Sequence, residues 1–440
     1  MGFRTAVKKV IPKGVFPAIE PYGHLAEGVL FNTVNGFPGK GIKVIGVTGT
    51  NGKTSTCFMI HHMLQAAGYK TGLMTTVAYG INEDIRPQIH HMTSQPMPEL
   101  MRRLKWMRSQ GVEWLILETT SQALAQNRTW GVPYSLAVMT NVTHEHLSFH
   151  KTFERYRTAK VKLFSLTNKN KKGLRTGVIN ADDPSASHFA QAIAHPVTYG
   201  LTKGDITPTQ LKITATGSTY NVKVGQTELN ITCHLPGSFN VENSLAAVSV
   251  GHILGLSKQQ IEQGIASLKE VEGRMTNIDE GQDFTVIVDY AHTPDSFEKL
   301  FKDLKPMAKG KIIAVFGSLG GGDKSKRPLQ GELAGKYADE VIICEEDDRQ
   351  EDPATIANDI AAGVEKAGKV RNKNLFLIHD RPEAIQFAVD RASKGDTVLL
   401  LGKGHEKTIE HADGEYPWDE IATAHAAVKK RLDKSSHYQA

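Results

Sequence analysis

Short apolar runs, rich in β-branched residues, recur along the chain, and each is followed by a polar or charged cluster. The clearest are KVIGV, WLIL, LAVMT, TVIV, KIIAVF, EVIIC and TVLLL. Uninterrupted runs of this length are typical of strands buried on both faces, as in parallel sheets covered by helices. Windows between them place apolar residues three and four positions apart, as in PMPELMRRLKWMRSQG, where Gly111 is suited to end a helix. The pattern predicts an α/β fold.

The polar clusters after these runs predict where the chemistry lies. In open α/β sheets, ligands bind beyond the carboxyl ends of the strands, so several clusters should contribute to one site. Two segments differ from the pattern. Residues 205–235 alternate Thr, Val and polar positions, which predicts an antiparallel hairpin or meander appended to the sheet. GRMTNIDEGQD, around residue 275, is the best boundary before a second α/β unit, as expected for a chain of 440 residues.

Composition and charge limit the kinds of molecule that the chain can be expected to bind. The formal net charge is only +5, and the excess is diffuse apart from the first forty or so residues. This favours anionic small molecules, or a weak membrane-surface contact through the basic N-terminus, over nucleic acid. A disordered or docked tail is the alternative for that segment. The three cysteines have no CxxC or Cys/His spacing, and no apolar run approaches transmembrane length, so we expect a cytoplasmic protein. We also expect a monomer.

The stretch GVTGTNGKTST lies between an apolar run and a helical window, and it carries the strongest chemical signal. Backbone N–H groups at a helix N-terminus form a cradle for anions. Gly49 and Gly52 would let the backbone approach a phosphate, Lys53 would neutralise its oxygens, and the Thr54 hydroxyl would ligate Mg²⁺. The common P-loop has a glycine where this chain has Val47, so the loop is a variant. A glycine-rich turn with a solvated lysine is the alternative.

TGTNGKTS resembles the ATP loop of the Mur ligases and folylpolyglutamate synthetases. ETTSQALAQNR, NVTHEHLSFH and YRTAKVKLF are similar to segments of the Mur ligases that add the third residue to the peptidoglycan stem peptide. GSFNVENSLAA, VDYAHTPD, GDKSKRP, the pair Asp380 and Arg381, and GKGHE follow in the family's order. The match runs from about residue 40 to the C-terminus.

The resemblance implies a P-loop-type parallel-sheet ATPase domain over residues 41–274 and a Rossmann-like C-terminal α/β domain over 275–440. A short basic segment, residues 1–40, precedes them. The family normally carries a domain that binds uridine diphosphate before its ATP loop. Forty residues are too few for it, so we expect most of that domain to be lacking.

The resemblance also implies the roles of individual residues. Those assigned to catalysis are Lys53, Glu118, His146, Lys160 and Arg274. The residues assigned to ATP are Gly49, Thr50, Asn51, Gly52, Lys53, Thr54, Ser55, Asn240, Asn243, Asp289 and His292. Two Mg²⁺ ions are implied, with Thr54, Glu118 and His146 as ligands.

Lys160 raises an electrostatic problem, because an ammonium group beside two Mg²⁺ ions would be repelled. The corresponding lysine of the family is carbamylated, so the resemblance implies a carbamate on Lys160. A solvated helix lysine, like its neighbour Lys162, is the alternative.

The substrate side is also implied by resemblance, with departures. Residues matching those that hold the muramoyl dipeptide are Thr93, Ser94, Thr120, Gln126 and Arg128, which implies UDP-MurNAc-L-Ala-D-Glu as acceptor. The incoming amino acid would contact Asp347, Arg349, Gly402 and Glu406. The family's D-N-P-R selector is Glu346 to Arg349 here, and an arginine that grips the distal carboxylate of diaminopimelate is Gly322. An acidic pocket favours a distal amine, so lysine or ornithine rivals meso-diaminopimelate.

The implied reaction is an ATP-dependent amide ligation. The acceptor carboxylate attacks the γ-phosphorus to give an acyl phosphate and ADP, and the amino acid then displaces phosphate. One alternative is a folylpolyglutamate-type ligase, which predicts activity with pteroyl glutamates. The other is a non-catalytic nucleotide-binding scaffold, which predicts ATP binding without amine-dependent phosphate release.

Overall fold

The computed structural model describes residues 16–88, 93–143, 145, 147–214 and 216–437. An eight-stranded sheet forms the centre of the first part, in the order β4-β3-β2-β5-β1-β6-β7-β8. Its strands are β1 Lys43–Thr48, β2 Thr71–Met74, β3 Ala78–Ile81, β4 Asp84–Pro87, β5 Trp114–Glu118, β6 Tyr134–Met139, β7 Thr176–Asn180 and β8 His195–Tyr199. All neighbours pair in parallel except β2 with β3 and β3 with β4.

Helices cover both faces of this sheet. They are α1 Phe16–Val34, α2 Lys53–Ala66, α3 Met97–Ser109, α4 Ser121–Ala125, α5 Leu147–His150, α6 Phe153–Lys169, α7 Ala186–Ala190, α8 Ser238–Ile253 and α9 Lys258–Ser267. Along β1, Ile45 and Val47 pack into the core beneath α2 and α8, while Val44 packs into the core beneath α3 and α6. Burial on both faces explains why the strand sequences are continuously apolar.

Residues 208–233 form a separate three-stranded antiparallel sheet, with β9 Pro208–Thr214, β10 Gly217–Val224 and β11 Thr227–Cys233. The predicted meander is confirmed, but its predicted attachment to the main sheet is wrong. The reason lies in its alternating pattern, which gives the meander one apolar face. That face, with Tyr220, Val222 and Leu229, packs into the core beneath α8 and α9 instead of extending the large sheet.

The second part is built on a six-stranded sheet, in the order β12-β13-β17-β14-β15-β16, parallel except for β12. Its strands are β12 Thr276–Ile278, β13 Thr285–Asp289, β14 Ile312–Phe316, β15 Glu340–Ile343, β16 Leu375–Leu377 and β17 Thr397–Leu401, and a hairpin adds β18 Thr408–His411 and β19 Gly414–Pro417. The helices are α10 Pro294–Leu304, α11 Lys326–Tyr337, α12 Pro353–Lys366, α13 Arg381–Arg391 and α14 Glu420–His437. Two cores, one on each face, give the Rossmann-like layering predicted from the sequence.

Each of the apolar runs singled out in the sequence is a parallel strand, so the predicted α/β fold is confirmed. The structure describes only part of the predicted basic segment, residues 1–40. Residues 1–15 lie outside the described residues, and residues 16–34 form α1, a helix that the sequence pattern had not predicted. Among the described residues, every helix is too short or too polar to cross a membrane.

Candidate active site

A cleft of about 520 Å³ lies where the carboxyl ends of the two parallel sheets face each other. The central part contributes the glycine loop after β1 and residues after β5 and β6. The C-terminal part contributes the segments that follow β13, β14 and β15. The ends of several strands therefore contribute residues to one site, as the positions of the polar clusters predicted.

The glycine loop joins β1 to α2 and closes on itself tightly. Gly52 caps α2 with φ of 81°, a left-handed conformation that favours glycine. A Cβ atom on Gly52 would lie 2.2 Å from Asn243 Oδ1, and one on Gly49 would lie 1.8 Å from Thr140 Oγ1. Both positions therefore require glycine because other chain segments pack directly against the loop.

Side chains after β6 hold the loop in place. Asn51 N donates to Asn141 Oδ1 at 2.9 Å, and the Thr140 hydroxyl donates to the Asn51 carbonyl at 2.6 Å. Lys53 Nζ donates to the Thr50 carbonyl at 2.8 Å, so its ammonium group lies over the loop. Ser55 also lines the cleft. The start of α2 thus presents a fixed set of N–H groups and one cation, which suits a polyphosphate.

Glu118 ends β5 inside the cleft and is only 2% exposed. Its Oε2 accepts hydrogen bonds from the Thr54 hydroxyl at 2.9 Å and from Thr76 N at 3.0 Å. Its Oε1 accepts from the Thr76 hydroxyl at 3.0 Å. A buried carboxylate beside hydroxyl oxygens is a donor set that fits Mg²⁺. His146, predicted as a further ligand, lies outside the described residues.

Lys160, on α6, is 2% exposed and lies directly behind the glycine loop. Its Nζ donates to the Gly49 carbonyl at 2.5 Å and lies 4.4 Å from the centre of the Tyr156 ring. Burial, and then the charge of Lys53, hold the pKa of Lys160 well below its ordinary value, and nearby carboxylates only partly oppose this. The alternative of a solvated helix lysine is therefore wrong.

Two asparagines of α8 form a chain of hydrogen bonds that ends at the loop. Asn243 lines the cleft, and its Oδ1 accepts from the Thr56 hydroxyl at 3.3 Å. Asn243 Nδ2 donates to Asn240 Oδ1 at 2.9 Å, and Asn240 Nδ2 donates to the Pro236 carbonyl at 2.7 Å. Asn240 is thus fully buried behind Asn243, where it orients that side chain without lining the cleft.

Contacts between the two parts cross the cleft beside the loop. Asn51 Nδ2 donates to Asp295 Oδ2 at 2.8 Å, and His292 Nε2 lies 3.2 Å from Glu145 Oε1. His292 is assigned to ATP from the sequence, whereas Glu145 lies in the quoted motif NVTHEHLSFH without an assigned role. The structure therefore gives Glu145 a contact with the opposite domain.

Arg274 lies at the junction of the two parts. Its Nη2 donates to the Thr54 hydroxyl at 3.4 Å, and its guanidinium stacks 4.5 Å from the centre of the Tyr290 ring. Asp289, at the end of β13, accepts from Met275 N at 2.8 Å and from Ala291 N at 2.7 Å. Burial raises the pKa of Asp289, and the charge of Arg274 opposes this.

Four residues predicted to hold the acceptor gather at one end of the cleft, and one does not. Ser94 Oγ lies 3.2 Å from Thr120 Oγ1, and Arg128 Nη1 donates to the Ser94 carbonyl at 2.6 Å. Thr93 completes this group beside Glu118. Gln126 instead donates through Nε2 to Glu20 Oε2 of α1 at 3.1 Å, and it does not line the cleft.

The residues predicted for the incoming amino acid belong to the C-terminal part. Lys403 is buried, and its Nζ contacts Asp347 Oδ1 at 2.8 Å and Glu406 Oε2 at 2.7 Å. Glu346 lines the cleft and makes no ion pair with any described residue. Burial raises the pKa of Glu346, and the charge of Lys326 opposes this. Glu346 thus lacks a direct ion-pair partner among the described residues, although the charges of Lys326, Lys403 and Arg381 act on it.

The two other selector residues, Arg349 and Asp348, differ in their position relative to the cleft. Arg349 lines the cleft, but its Nε donates to Glu410 Oε2 at 2.9 Å. Asp348 turns away from the cleft, and its Oδ2 lies 3.5 Å from His411 Nδ1. Gly402 does not line the cleft, and a Cβ there would lie 2.5 Å from Glu346 Oε2, so this glycine makes room for that carboxylate.

Sequence reasoning missed several residues of the site. Thr76, Lys326 and Lys403 were not selected, although Lys326 and Lys403 lie in the quoted motifs GDKSKRP and GKGHE. Thr76 follows the short buried strand β2, which was not among the predicted runs, so the carboxyl-end rule could find it only once that strand is recognised. The partners of Lys403 could not be read from the sequence, since they come from two different loops.

The loop, the buried carboxylate and the facing α/β domains define a class of enzyme, the ATP-dependent ligases that join an acid to an amine. Residues 47–251 match the Mur ligase middle domain, and residues 273–404 match the Mur ligase glutamate ligase domain. The chain belongs to the Mur ligase family, as its motifs indicated. It is an ATP-dependent amide ligase of peptidoglycan precursor synthesis.

Similar proteins agree with this assignment. The UDP-N-acetylmuramyl-tripeptide synthetase of Roseiflexus sp. (strain RS-1) is 40% identical over 425 residues, covering 94% of this chain and 84% of that protein. A solved UDP-N-acetylmuramoyl-L-alanyl-D-glutamate--2,6-diaminopimelate ligase is 32% identical, with a TM-score of 0.61 over 89% of this chain and 79% of that one. The folylpolyglutamate synthase of Mycobacterium tuberculosis, complexed with ADP and AMPPCP, has a TM-score of 0.68 at 16% identity, over 86% and 92% of the chains, and shares the fold.

Proposed function

We propose that this enzyme adds the third amino acid to UDP-MurNAc-L-Ala-D-Glu, with ATP converted to ADP and phosphate. The observation that carries the proposal is the arrangement of the cleft. One cavity is lined by the glycine loop, by the group of Thr93, Ser94, Thr120 and Arg128 from the central part, and by the acidic pocket of Glu346 from the C-terminal part. Nucleotide, acceptor and amine therefore each have a separate set of partners in one cavity.

The chain's own residues suit both chemical steps. The N–H groups of α2 and Lys53 would bind the phosphates, and Arg274, beside Thr54, would contact the γ-phosphate. The acceptor carboxylate forms a bond to the γ-phosphorus as the bond to ADP breaks. The amine then attacks the acyl carbon, loses a proton, and phosphate leaves. Both steps depend on positioning, which the rigid loop supplies.

Two Mg²⁺ ions belong to this proposal, and Thr54, Glu118 and His146 would hold them. When bound, such ions offset the negative charge of the reacting phosphates. A carbamate on Lys160 is also part of the proposal. Its support is the burial of Lys160 and the lowered pKa, because an uncharged amine is the form that reacts with carbon dioxide.

For the third amino acid we propose one with a distal amine, lysine or ornithine, in preference to meso-diaminopimelate. Asp347 and Glu406 share the single ammonium group of Lys403, so these three charges are net negative, and Arg349 is engaged by Glu410. Together with Glu346 they provide the negative charge that a distal ammonium would meet. A distal carboxylate would meet that same charge and be repelled.

Phosphate release with ATP, Mg²⁺ and the muramoyl dipeptide, measured against a panel of amines, tests the function. Lys53→Ala should lower turnover by about a hundredfold or more, as removal of a preorganised charge-stabilising donor does. Lys105→Ala, an exposed lysine of α3, is the matched control and should keep full activity. An unchanged rate in the Lys53 variant would remove the loop from the mechanism.

The same assay separates the rival functions. Activity with pteroyl glutamates instead of the muramoyl dipeptide would favour the folylpolyglutamate-type ligase. ATP binding without amine-dependent phosphate release would favour the scaffold. For the amine, Glu346→Gln should raise the KM for lysine by about tenfold while leaving the KM for ATP unchanged. An unchanged preference between lysine and diaminopimelate in that variant would contradict the role of Glu346.

We also propose that the enzyme is a cytoplasmic monomer. Cys57, Cys233 and Cys344 are free and buried, which suits a reducing compartment. Light scattering at working concentration tests the monomer, and a dimer mass would refute it.

A further inference from the structure

The helix α1 carries its apolar side chains on the outside. Between Ile19 and Val34 every exposed residue is uncharged, and the large ones are Ile19, Tyr22, Val29, Leu30 and Val34. At about 100° per residue these positions fall on a single arc of about 140°. Tyr22 and Val34 are 72% and 75% exposed, so this outer stripe faces solvent from Tyr22 to the end of the helix.

The inner side of α1 carries buried polar groups. His24 is buried between Glu20 and Glu27, with ring nitrogens 3.8 and 3.5 Å from their carboxylates. Asn32 is also buried, and its Nδ2 donates to the Gly28 and Trp130 carbonyls at 2.9 and 3.1 Å. Phe31 packs against the core beside these groups. The inner side of α1 is therefore mixed, and its largest set of apolar side chains is left exposed, unlike an ordinary surface helix, whose apolar side faces the core.

The sequence is basic both before and after the outer stripe. The first 19 residues of the chain contain Arg4, Lys8, Lys9 and Lys13 and no acidic residue. Lys40 and Lys43 are exposed just after the helix. An apolar stripe between basic ends is complementary to a bilayer with anionic headgroups, which accepts apolar side chains in its interface and attracts lysine and arginine.

We propose that the outer stripe of α1 binds the surface of an anionic lipid bilayer, with the helix lying in the interfacial plane. The helix is attached to the loop after α4, because Gln126 donates to Glu20 and Asn127 Nδ2 donates to the Pro21 carbonyl at 3.1 Å. That loop continues to Arg128 at the acceptor end of the cleft. Membrane contact would thus hold the acceptor end of the enzyme next to the bilayer.

Co-sedimentation of the full chain with vesicles tests this binding. Vesicles of phosphatidylcholine alone are compared with vesicles that also contain phosphatidylglycerol. The protein should sediment with the anionic vesicles and be released by high salt. Leu30→Glu should lower the bound-to-free ratio by about tenfold, because it puts a charge into the stripe and opposes the anionic surface.

Leu329→Glu is the matched control, since Leu329 is a similarly exposed helical leucine of the C-terminal part, 51% exposed against 59% for Leu30. It should bind vesicles as the unmodified chain does. ATP-dependent phosphate release without vesicles checks that both variants are folded, and vesicle binding itself needs no nucleotide. Protein that stays in solution with anionic vesicles, or equal binding by both variants, would overturn the proposal. So would a dimer that Leu30→Glu converts to monomer without any vesicle binding, because the stripe would then join two copies.

Discussion

A fully buried ion pair connects the stability of the C-terminal domain to the amine pocket. Arg381 Nη2 and Nε donate to the two carboxylate oxygens of Glu420 at 2.6 and 2.8 Å, and neither side chain is exposed. Arg381 also donates to the Glu345 carbonyl at 3.0 Å and to the Leu401 carbonyl at 2.8 Å. These carbonyls directly precede Glu346 and Gly402, so the pair holds both loops of the pocket.

Glu420→Gln keeps the shape of the side chain but leaves the guanidinium of Arg381 buried without an anion. Breaking one partner of a buried pair costs about 3 to 5 kcal/mol. For a domain of this size, that corresponds to a melting temperature lower by about 6 to 20 °C. Differential scanning calorimetry measures the shift in the C-terminal transition. The KM for the amine should also rise more than the KM for ATP.

Glu332→Gln is the matched control. Lys366 Nζ contacts Glu332 Oε2 at 2.8 Å, a similar separation, but both side chains are exposed. Exposed pairs contribute at most about 1 kcal/mol, so this variant should melt close to the unmodified chain. If Glu420→Gln melted within about a degree of Glu332→Gln, the reasoning from burial would be refuted.

Three further predictions concern individual groups. Lys160→Ala should lose activity that short carboxylic acids partly restore, and full activity in the untreated variant would exclude the carbamate. Gly52→Ala should weaken ATP binding by calorimetry about tenfold or more, because its Cβ meets Asn243; Gly68→Ala, equally left-handed but in open space, should not. Burial lowers the pKa of His61 from 6.5 to about 4, so the unfolded chain binds protons more readily and stability falls as pH drops through this range. The loss, about 3 kcal/mol, should be absent in His61→Gln by urea unfolding at pH 7 and pH 4, and an equal loss in both proteins would contradict it.

The fold could be predicted from the sequence where burial alone decides the structure. Strands buried on both faces must be continuously apolar, so β1, β5 and β17 were visible as runs. The glycine loop was equally visible, because Gly49 and Gly52 are required by steric contact. Roles such as that of Arg274 came only from resemblance, and they remain predictions.

Features set by long-range contacts were not predictable in the same way. The pattern of α1 gives no sign that Glu20 points inward, because its partner Gln126 is 106 residues away. Asp348 looked like part of a selector, yet the backbone turns it toward His411. The predicted attachment of the meander to the main sheet was wrong for a related reason. An alternating pattern shows which face of a strand is apolar but not which elements cover that face.

Asn51 and Asp295 form a latch across the cleft, joining segments that are 244 residues apart in the chain. Under the proposed function, we expect release of ADP from the glycine loop to require that this hydrogen bond breaks and the two halves separate. Motions of this kind take microseconds to milliseconds. Whenever the chemical steps are faster, the throughput of the enzyme is therefore set by how often the latch opens.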